Sequence, residues 1–331
     1  MSDITDFRAF RIHADRDNFR AGLEQMRVDD LSPGEVVIKV AYSSVNYKDA
    51  LAGTGKGKIL RQSPLNGGID VAGYVAASTD PQFKEGDQVL CTGCGLSETR
   101  DGGYAQYARL QSKWTIPLPT GMTLRDSMII GTAGFTAALS LYQMQRNGQN
   151  PDMGPIVITG ASGGVGTMAI DILSVAGYEA HAISGKLEHF DDLIALGAKQ
   201  CISRKDLYWG QRPLEESRWA GAIDCVGGDM LSGLTRVIKP YGNIACCGLA
   251  ASNDLQTTVM PFIIRGVSLL GVASAGTARD IRDAIWAHLA SDWKPASLDR
   301  ITRREAGLED LPEIFKTLLA GKGFGRVVIK I

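Results

Sequence analysis

The stretch Ile156-Val157-Ile158-Thr159-Gly160-Ala161-Ser162-Gly163-Gly164-Val165-Gly166 joins a short apolar run to a glycine-rich turn. Apolar residues then recur at helical spacing over residues 165–176, and Gly177 ends the pattern. A strand, a turn and a helix in this order can bind pyrophosphate, because the turn amides and the helix N-terminus attract negative charge. We therefore predict an α/β fold with a dinucleotide site in the turn. The predicted contacts are Gly160, Ala161, Ser162, Gly163, Gly164 and Val165.

The same turn is also compatible with a hydrolase. Residues 160–164 match the G-x-S-x-G pattern of a nucleophilic serine, with Ser162 as the nucleophile. Asp224 or Asp254 and then His288 follow in the chain order of such enzymes. However, His288 lies on the apolar side of a predicted helix, where we expect a packed core histidine. The dinucleotide interpretation is therefore preferred.

The end of the second predicted strand indicates which nucleotide binds. Sites for NAD usually carry an acidic residue about 20 residues after the glycines, whereas this chain has Ser184, Gly185 and Lys186 there. A hydroxyl and an ammonium group suit a 2′-phosphate, and Arg204 after the third strand adds a guanidinium group. These four residues favour NADPH. The alternative is that Lys186 is an ordinary solvated lysine.

Strands and helices alternate through residues 155–272, which is typical of a parallel sheet covered on both faces. Residues 36–116 contain short strand-like runs separated by glycine and proline turns, as in a β-rich domain. An amphipathic helix over residues 311–319 and a strand over residues 326–331 end the chain. This order predicts an α/β domain inserted into a β-rich domain.

Composition excludes several classes of function. The 331 residues carry 35 basic and 36 acidic side chains, so no net positive charge favours nucleic acid or an anionic membrane. The N-terminal residues lack a signal-peptide apolar core, and the longest uncharged runs are interrupted by polar residues. Six cysteines occur without the spacing of a disulfide framework. We therefore expect a reduced, cytoplasmic protein that binds neither nucleic acid nor membrane.

Several motifs together resemble those of the medium-chain dehydrogenase/reductase superfamily. They are Gly86-Asp87-Gln88-Val89, Gly102-Gly103-Tyr104-Ala105-Gln106-Tyr107 and Gly131-Thr132-Ala133-Gly134-Phe135-Thr136-Ala137, together with the glycine turn. The resemblance implies a β-rich GroES-like catalytic domain (residues 1–125 and 274–331) and an inserted Rossmann NADPH-binding domain (residues 126–273). Zinc-dependent members carry Gly-His-Glu where this chain has Gly68-Ile69-Asp70, and the four-cysteine lobe is absent. We therefore expect no metal site.

Two neighbouring segments resemble those of the NADPH-dependent acryloyl-CoA reductases, a zinc-free branch related to quinone oxidoreductases. They are Asn46-Tyr47-Lys48-Asp49-Ala50-Leu51 and Thr54-Gly55-Lys56-Gly57-Lys58-Ile59. Two positions depart from that pattern: Gly67 replaces a usual proline and Lys186 a frequent arginine. The resemblance implies reduction of acryloyl-CoA to propanoyl-CoA by hydride transfer to the β-carbon, in a homodimer. It also adds four residues to the NADPH site, namely Tyr47, Leu249, Ile263 and Ser274.

Tyr47 is the candidate catalytic residue, because a phenol with an ordinary pKa near 10 stays protonated at neutral pH and can donate a proton or a hydrogen bond. The alternative is that Tyr47 packs against the nicotinamide while water protonates the α-carbon. Lys56, Lys58 and Arg61 form a basic cluster nearby in sequence that can attract the phosphates of CoA. The alternative for this cluster is a solvated loop.

Two other functions fit the same sequence. A quinone or free-enone reductase would share the fold, cofactor and hydride chemistry, but its uncharged substrate would not need the basic cluster. A non-catalytic NADPH-binding or nucleic-acid-binding protein, as among crystallin-type relatives, is the other alternative. For assembly, residues 267–272 read as an apolar edge strand that can pair with a second subunit.

Overall fold

A computed structural model describes residues 6–15 and 18–331. These residues form two units, of which the first contains residues up to Thr132 together with Ala275–Ala284 and Thr302–Ile331. The second unit contains Ala133–Ser274 and Ile285–Ile301. Each unit has its own sheet.

Antiparallel strands dominate the first unit. Its strands are β1 (Phe7–Asp15), β2 (Asn18–Met26), β3 (Val36–Ser44), β4 (Leu65–Asn66), β5 (Asp70–Ser78), β6 (Gln88–Thr92), β7 (Tyr107–Leu110) and β8 (Ile116–Pro117). The helices in this part of the chain are α1 (Tyr47–Gly53) and α2 (Leu124–Arg146), and α2 continues into the second unit. Strands β2, β1 and β4 make one sheet, and β3, β5, β6 and β8 belong to another, in which β7 also pairs with β3.

The alternation of Val36, Ile38 and Val40 correctly predicted β3, because these side chains are buried while Lys39 between them is exposed. The last strands of the chain complete this sheet: β15 (Thr302–Ala306) pairs with β16 (Arg326–Lys330), which pairs with β3. Helix α9 (Leu311–Leu319) lies where the amphipathic pattern predicted it. Its Phe315 packs in a buried cluster with Phe10 and Tyr104.

The second unit contains a parallel sheet. Its elements are β9 (Ile156–Thr159), α3 (Gly164–Val175), β10 (Ala180–Ser184), α4 (Phe190–Ala195), β11 (Ala198–Ser203), β12 (Trp219–Asp224), α5 (Gly228–Val237), β13 (Ile238–Cys246), α6 (Met260–Arg265) and β14 (Ser268–Gly271). Helix α7 (Arg279–Ala290), which has its first residues in the first unit, and helix α8 (Leu298–Ile301) follow. The strand order is β11-β10-β9-β12-β13-β14. This doubly wound order confirms the predicted fold class and brings the ends of β9, β10 and β11 side by side.

No helix in the described part of the chain is long and apolar enough to cross a bilayer. Strand β14 lies at one edge of the parallel sheet, as predicted for residues 267–272.

Candidate active site

The glycine turn connects β9 to α3, and its glycines are required by the backbone. Gly160 has a φ of +61°, which is strained for a residue with a side chain. A Cβ on Gly166 would lie 2.5 Å from the carbonyl oxygen of Gly160, so only glycine lets the first turn of α3 pack against the loop. The first amides of a helix have no partner within that helix. The Ala161 and Gly163 N–H groups donate to backbone carbonyls, so an anion would bind the other turn amides and the positive end of α3.

The end of β10 lies directly beside this turn. The Ala161 N–H donates to the carbonyl of Ile183 at 3.1 Å. The Ser184 hydroxyl donates to the Ser162 hydroxyl at 3.2 Å and accepts from the Lys186 N–H at 3.1 Å. These bonds place Ser184, Gly185 and Lys186 next to the predicted pyrophosphate site.

Arg204 follows β11, the next strand in the sheet, and its guanidinium group reaches Gly185. A Cβ on Gly185 would lie 3.2 Å from a terminal nitrogen of Arg204. Lys186 is half-buried, and burial lowers the pKa of its ammonium group. An anion beside Lys186 would offset that cost. The structure thus brings the residues predicted for the 2′-phosphate together at one edge of the sheet, and the donor set fits a phosphate.

The residues predicted for the nicotinamide end follow neighbouring strands. Leu249 comes after β13 and Ser274 after β14, which pair through Cys246 and Gly271. The backbone of Leu249 also approaches Gly227 at the end of β12. Leu249 and Ile263, on α6, are 66% and 72% exposed, so both can contact a ligand. Their role in cofactor binding stays a prediction.

The hydrolase alternative is not supported by the arrangement of its residues. The Ser162 hydroxyl accepts from Ser184, and Asp224 accepts hydrogen bonds from the Thr159 hydroxyl at 2.6 Å and the Gly227 N–H at 2.8 Å. His288 pairs with Asp292 at 2.8 Å. Its ring stacks on Trp293 and its side chain is 36% exposed, so the prediction of a packed core histidine was wrong.

In the first unit, Tyr47 is the first residue of α1 and its side chain is 44% exposed. Its hydroxyl makes no hydrogen bond to another described residue. The preceding residue, Asn46, is buried and fixes the start of the helix, because its N–H donates to Asp49 at 2.9 Å and its side-chain amide donates to Asp70 at 2.7 Å. Tyr47 therefore projects from a rigid support and is available to a ligand.

The support is a buried polar network around Asp70. Its carboxylate accepts hydrogen bonds from the Ser44 hydroxyl at 2.6 Å and from the Thr132 hydroxyl and N–H at 2.6 and 3.0 Å. Helix α2 is interrupted immediately before Thr132, at Gly131, where φ is +49°. A guanidinium nitrogen of Arg326 lies 3.8 Å from Asp70 and donates to Ser44 at 2.7 Å. Arg326 also donates to the Asn46 side chain at 3.1 Å.

Asp49 is a second buried carboxyl group in this network. Burial and the neighbouring charge of Asp70 raise the pKa of Asp49 from its ordinary 3.8 to about 7. The Asn46 N–H and the Ile69 N–H, which donates at 3.0 Å, act in the opposite direction. Asp49 thus holds its proton in the folded protein at pH values where the unfolded chain has lost it.

We predict that the free energy of unfolding falls with pH because of Asp49. Between its unfolded pKa of 3.8 and its folded pKa of about 7, the folded state binds one more proton than the unfolded state. Stability therefore decreases by about 1.4 kcal/mol per pH unit in this window and levels off above it. Denaturant unfolding of the wild type and Asp49→Asn at several pH values will measure this. A difference between the two proteins that does not change from about pH 5 to pH 7 contradicts the prediction.

The basic cluster is only partly available to a ligand. Lys56, Lys58 and Arg61 are exposed, but Arg61 pairs with Glu98 at 3.0 Å, and Lys48 pairs with the same carboxylate. Lys56 and Lys58 make no ion pair with any described residue. They are the better candidates for an anionic substrate.

The residues at the zinc position of related enzymes do not fit a metal ion. Within residues 6–15 and 18–331, no three His, Cys, Asp or Glu side chains are grouped as metal ligands. Ile69 cannot coordinate, and Asp70 accepts hydrogen bonds from several donors of the network.

Comparison with protein-family models places this geometry among known folds. Residues 32–120 match the "Alcohol dehydrogenase GroES-like domain" and residues 164–291 match "Zinc-binding dehydrogenase". The chain is 40% identical over 328 residues to the acrylyl-CoA reductase AcuI of Ruegeria pomeroyi, covering 98% of this chain and 99% of AcuI. The chain belongs to the medium-chain dehydrogenase/reductase superfamily. Within it, the chain groups with the acrylyl-CoA reductases and quinone oxidoreductase-like proteins.

Other members of the superfamily support the same placement. YhfP of Bacillus subtilis, whose name assigns it provisionally to the quinone oxidoreductases, is 43% identical over 99% of both chains. A crystal structure of YhfP with NAD bound superposes with a TM-score of 0.95 and covers 99% of this chain and 100% of YhfP. The YhdH oxidoreductase from Salmonella enterica, solved in complex with NADP, is 42% identical. It superposes with a TM-score of 0.94 over 98% of this chain and 99% of YhdH.

Proposed function

We propose that this protein uses NADPH to reduce the C=C bond of acryloyl-CoA, or another short 2-enoyl-CoA, to the saturated thioester. The observation that carries the proposal is the 40% identity to a named acrylyl-CoA reductase over nearly the full length of both chains. The glycine turn and the hydrogen-bond donors at the ends of β10 and β11 support the assignment of NADPH as the cofactor.

The cofactor assignment rests on the residues around the turn. The Ser162, Gly164 and Val165 amides would hold the pyrophosphate, because the Ala161 and Gly163 N–H groups already donate to backbone carbonyls. Ser184, Lys186 and Arg204 would hold the 2′-phosphate. NADPH supplies the hydride that goes to the β-carbon of the substrate. Leu249, Ile263 and Ser274 are proposed to line the nicotinamide end, and a contact between Tyr47 and the cofactor stays a prediction.

The thioester oxygen gains negative charge during the reaction, and the α-carbon takes a proton. Positioned hydrogen-bond donors stabilise such an enolate. Tyr47 is suited to this role because its hydroxyl is uncommitted within the described chain and its backbone is fixed by the Asn46–Asp70 contact. We assign it as the group that orients or protonates the substrate.

We expect Tyr47→Phe to lower kcat/KM for acryloyl-CoA by about 5-fold, since one neutral hydrogen bond contributes roughly 1 kcal/mol. Steady-state NADPH oxidation measures the effect. The dissociation constant for NADPH, measured by fluorescence titration, is the control that separates catalysis from cofactor binding. Full retention of kcat/KM in Tyr47→Phe would show that the tyrosine only packs and that water supplies the proton.

The exposed lysines give a prediction about the substrate. We expect Lys56→Ala/Lys58→Ala to raise KM for acryloyl-CoA by about 5-fold and to leave kcat unchanged, because screened surface charges contribute less than about 1 kcal/mol each. Lys84→Ala, at an exposed lysine elsewhere in the first unit, is the matched control. An unchanged KM at low ionic strength would withdraw the role of Lys56 and Lys58, and Arg61→Ala tests the weaker candidate in the same way.

One panel of acceptors tests the function as a whole. NADPH oxidation is followed with acryloyl-CoA, crotonyl-CoA and an uncharged quinone at equal concentrations. The proposal expects kcat/KM to be highest for acryloyl-CoA. The name of YhfP favours the quinone as the second candidate, and a clear preference for it would reverse the assignment. Binding of NADPH without turnover of any acceptor would favour a non-catalytic protein.

Three further expectations belong to this proposal. Strand β14 lies at the edge of its sheet, which supports a homodimer formed through that edge. We also propose a cytoplasmic location and the domain limits predicted above, at residues 125/126 and 273/274. Analytical ultracentrifugation would test the homodimer.

A further inference from the structure

Arg100 lies in the segment after β6 (residues 93–101), and its side chain has no hydrogen-bonding partner. It is half-buried, and its guanidinium group makes neither a hydrogen bond nor an ion pair with any described residue. Its Nε atom is also shielded from solvent. Burial lowers the pKa of Arg100, because a charged group loses hydration when it is buried. An oxyanion bound to the guanidinium group would offset this loss.

The two acidic residues nearest to Arg100 in sequence are already paired with other groups. Glu98 forms an ion pair with Lys48. Asp101 accepts hydrogen bonds from the N–H and the hydroxyl of Ser32, both at 2.8 Å. Arg100 thus stands between two carboxylates that belong to other contacts, and its counter-charge has to come from solution or from a ligand.

Trp114 brings a second cation to the same place. The central guanidinium carbon of Arg100 lies 3.9 Å from the centroid of the indole ring, and the ammonium nitrogen of Lys113 lies 4.5 Å from it. Lys113 is exposed and makes no ion pair with a described residue. Arg279 fixes this turn, because it donates to the carbonyls of Lys113 and Thr115 at 3.2 and 3.0 Å. Two cations thus share one aromatic ring on an anchored turn, and no carboxylate of the described chain pairs with either.

Arg303 provides a contrast in the same unit. Its guanidinium carbon lies 4.3 Å from the ring centroid of Phe324, but Arg303 is exposed, so water can hydrate its charge. Stacking on an aromatic ring therefore does not by itself indicate a ligand. The feature that distinguishes Arg100 is partial burial without a counter-charge.

The segment that carries Arg100 is joined to the candidate catalytic helix. Lys48, the residue after Tyr47 on α1, forms the ion pair with Glu98. The Arg61 N–H donates to the Glu98 carbonyl at 2.7 Å, which ties the stretch with the basic cluster to the same segment. Arg100 therefore belongs to the same part of the first unit as the groups proposed to meet the substrate.

We propose that Arg100 and Lys113 bind the 3′-phosphate of the CoA moiety of the substrate, with Trp114 in contact with the adenosine that carries it. The inference rests on the proposed function, since that function supplies a CoA thioester. A phosphomonoester carries about two negative charges at neutral pH, which matches two cations, and a guanidinium group can bind two of its oxygens at once. An aromatic ring beside the cations suits an adenine base. NADPH also carries a phosphomonoester on its adenosine, so the test has to separate the two nucleotides.

The first experiment measures the binding of CoA and of dephospho-CoA, which lacks the 3′-phosphate, by isothermal titration calorimetry on the full-length protein. The wild type should bind CoA at least about 10-fold more tightly than dephospho-CoA, because a charge-assisted hydrogen bond contributes about that factor or more. Arg100→Met should remove this preference, and Arg100→Lys should keep part of it, since the positive charge remains. The dissociation constant for NADPH should stay unchanged in both variants, because its 2′-phosphate is assigned to other residues.

Arg303→Met is the matched control, because it removes a stacked but exposed arginine from the same unit and should leave the preference for CoA unchanged. Equal binding of CoA and dephospho-CoA by the wild type, or full retention of the preference in Arg100→Met, overturns the inference. Turnover of acryloyl-CoA by the same preparation would then show that the proposed function survives. Absence of both CoA binding and acryloyl-CoA turnover overturns the two together.

The second experiment follows tryptophan fluorescence during a titration with CoA. The chain has five tryptophans, and contact between the adenosine and Trp114 should change the emission of that residue. The change should be lost in Trp114→Phe, which keeps an aromatic ring beneath Arg100 and whose folding is checked by circular dichroism. An undiminished change in Trp114→Phe would place the adenosine elsewhere and overturn the inference.

Discussion

We expect the double variant Lys186→Ala/Arg204→Ala to raise the dissociation constant for NADPH by more than about 100-fold and to leave that for NADH nearly unchanged. The two side chains follow neighbouring strands, β10 and β11, and the guanidinium group lies against Gly185. Each hydrogen bond between a charged donor and a phosphate contributes roughly 10-fold or more. NADH lacks the 2′-phosphate and loses neither bond. Fluorescence titration of both nucleotides measures the change in preference.

The control for this prediction is Lys205→Ala, because Lys205 is exposed and adjacent to Arg204. This variant removes the same formal charge and should change NADPH binding less than about 2-fold. If the double variant raised the dissociation constants for NADPH and NADH by the same factor, the two residues would support the turn and would not contact the 2′-phosphate. The contrast between NAD-bound YhfP and NADP-bound YhdH makes this measurement decisive for the cofactor of this chain.

We expect Arg326→Met to lower the free energy of unfolding by about 3–5 kcal/mol, because it leaves Asp70 buried without its cation. Arg326 is 2% exposed and Asp70 is fully buried. The same change removes donors to Ser44, to Asn46 and to the carbonyl of Ile129 at 2.9 Å. Chemical denaturation followed by tryptophan fluorescence gives the measurement.

A second variant separates the charge from the packing. Arg326→Met/Asp70→Asn removes both charges, so it should recover part of the lost stability. Arg304→Met is the surface control: Arg304 pairs with Asp310 at 2.7 Å, but both side chains are more than a third exposed, and the expected loss is below about 1 kcal/mol. A loss in Arg326→Met no larger than in Arg304→Met would show that the network carries little of the stability.

Local patterns predicted the elements of the candidate cofactor site, because a strand, a glycine turn and a helix are adjacent in sequence. Periodicity correctly predicted α3 and α9, and glycine spacing indicated the turn. The doubly wound parallel sheet was also predicted correctly, from the alternation of strands and helices. The sequence placed Ser184 and Lys186 at the end of the second strand and Arg204 after the third, where the structure has them, and their contact with a phosphate stays a prediction.

The buried network was not predicted, although Asp49 and Asp70 lie in motifs that mark the family. Arg326 meets Asp70 only through the pairing of β16 with β3, and no local pattern connects positions so far apart in sequence. The sequence does contain one indication of a buried network. Asp49, Asp70 and Arg326 are charged residues with apolar residues beside them, in one helix and two strands. Arg61 is less available to an anionic substrate than the sequence indicated, because its ion pair with Glu98 also depends on a tertiary contact.

The interruption of α2 at Gly131 has a consequence for protein engineering. A Cβ at this position would lie 2.7 Å from Asp70, Ser44 and Arg326 at once, so even alanine cannot be accommodated without dismantling the surrounding bonds. The carboxylate of Asp70 is correspondingly saturated with protein donors. Grafting a transition-metal centre onto this scaffold by installing histidine at Ile69 would therefore fail unless Gly131, Thr132 and Arg326 were redesigned together.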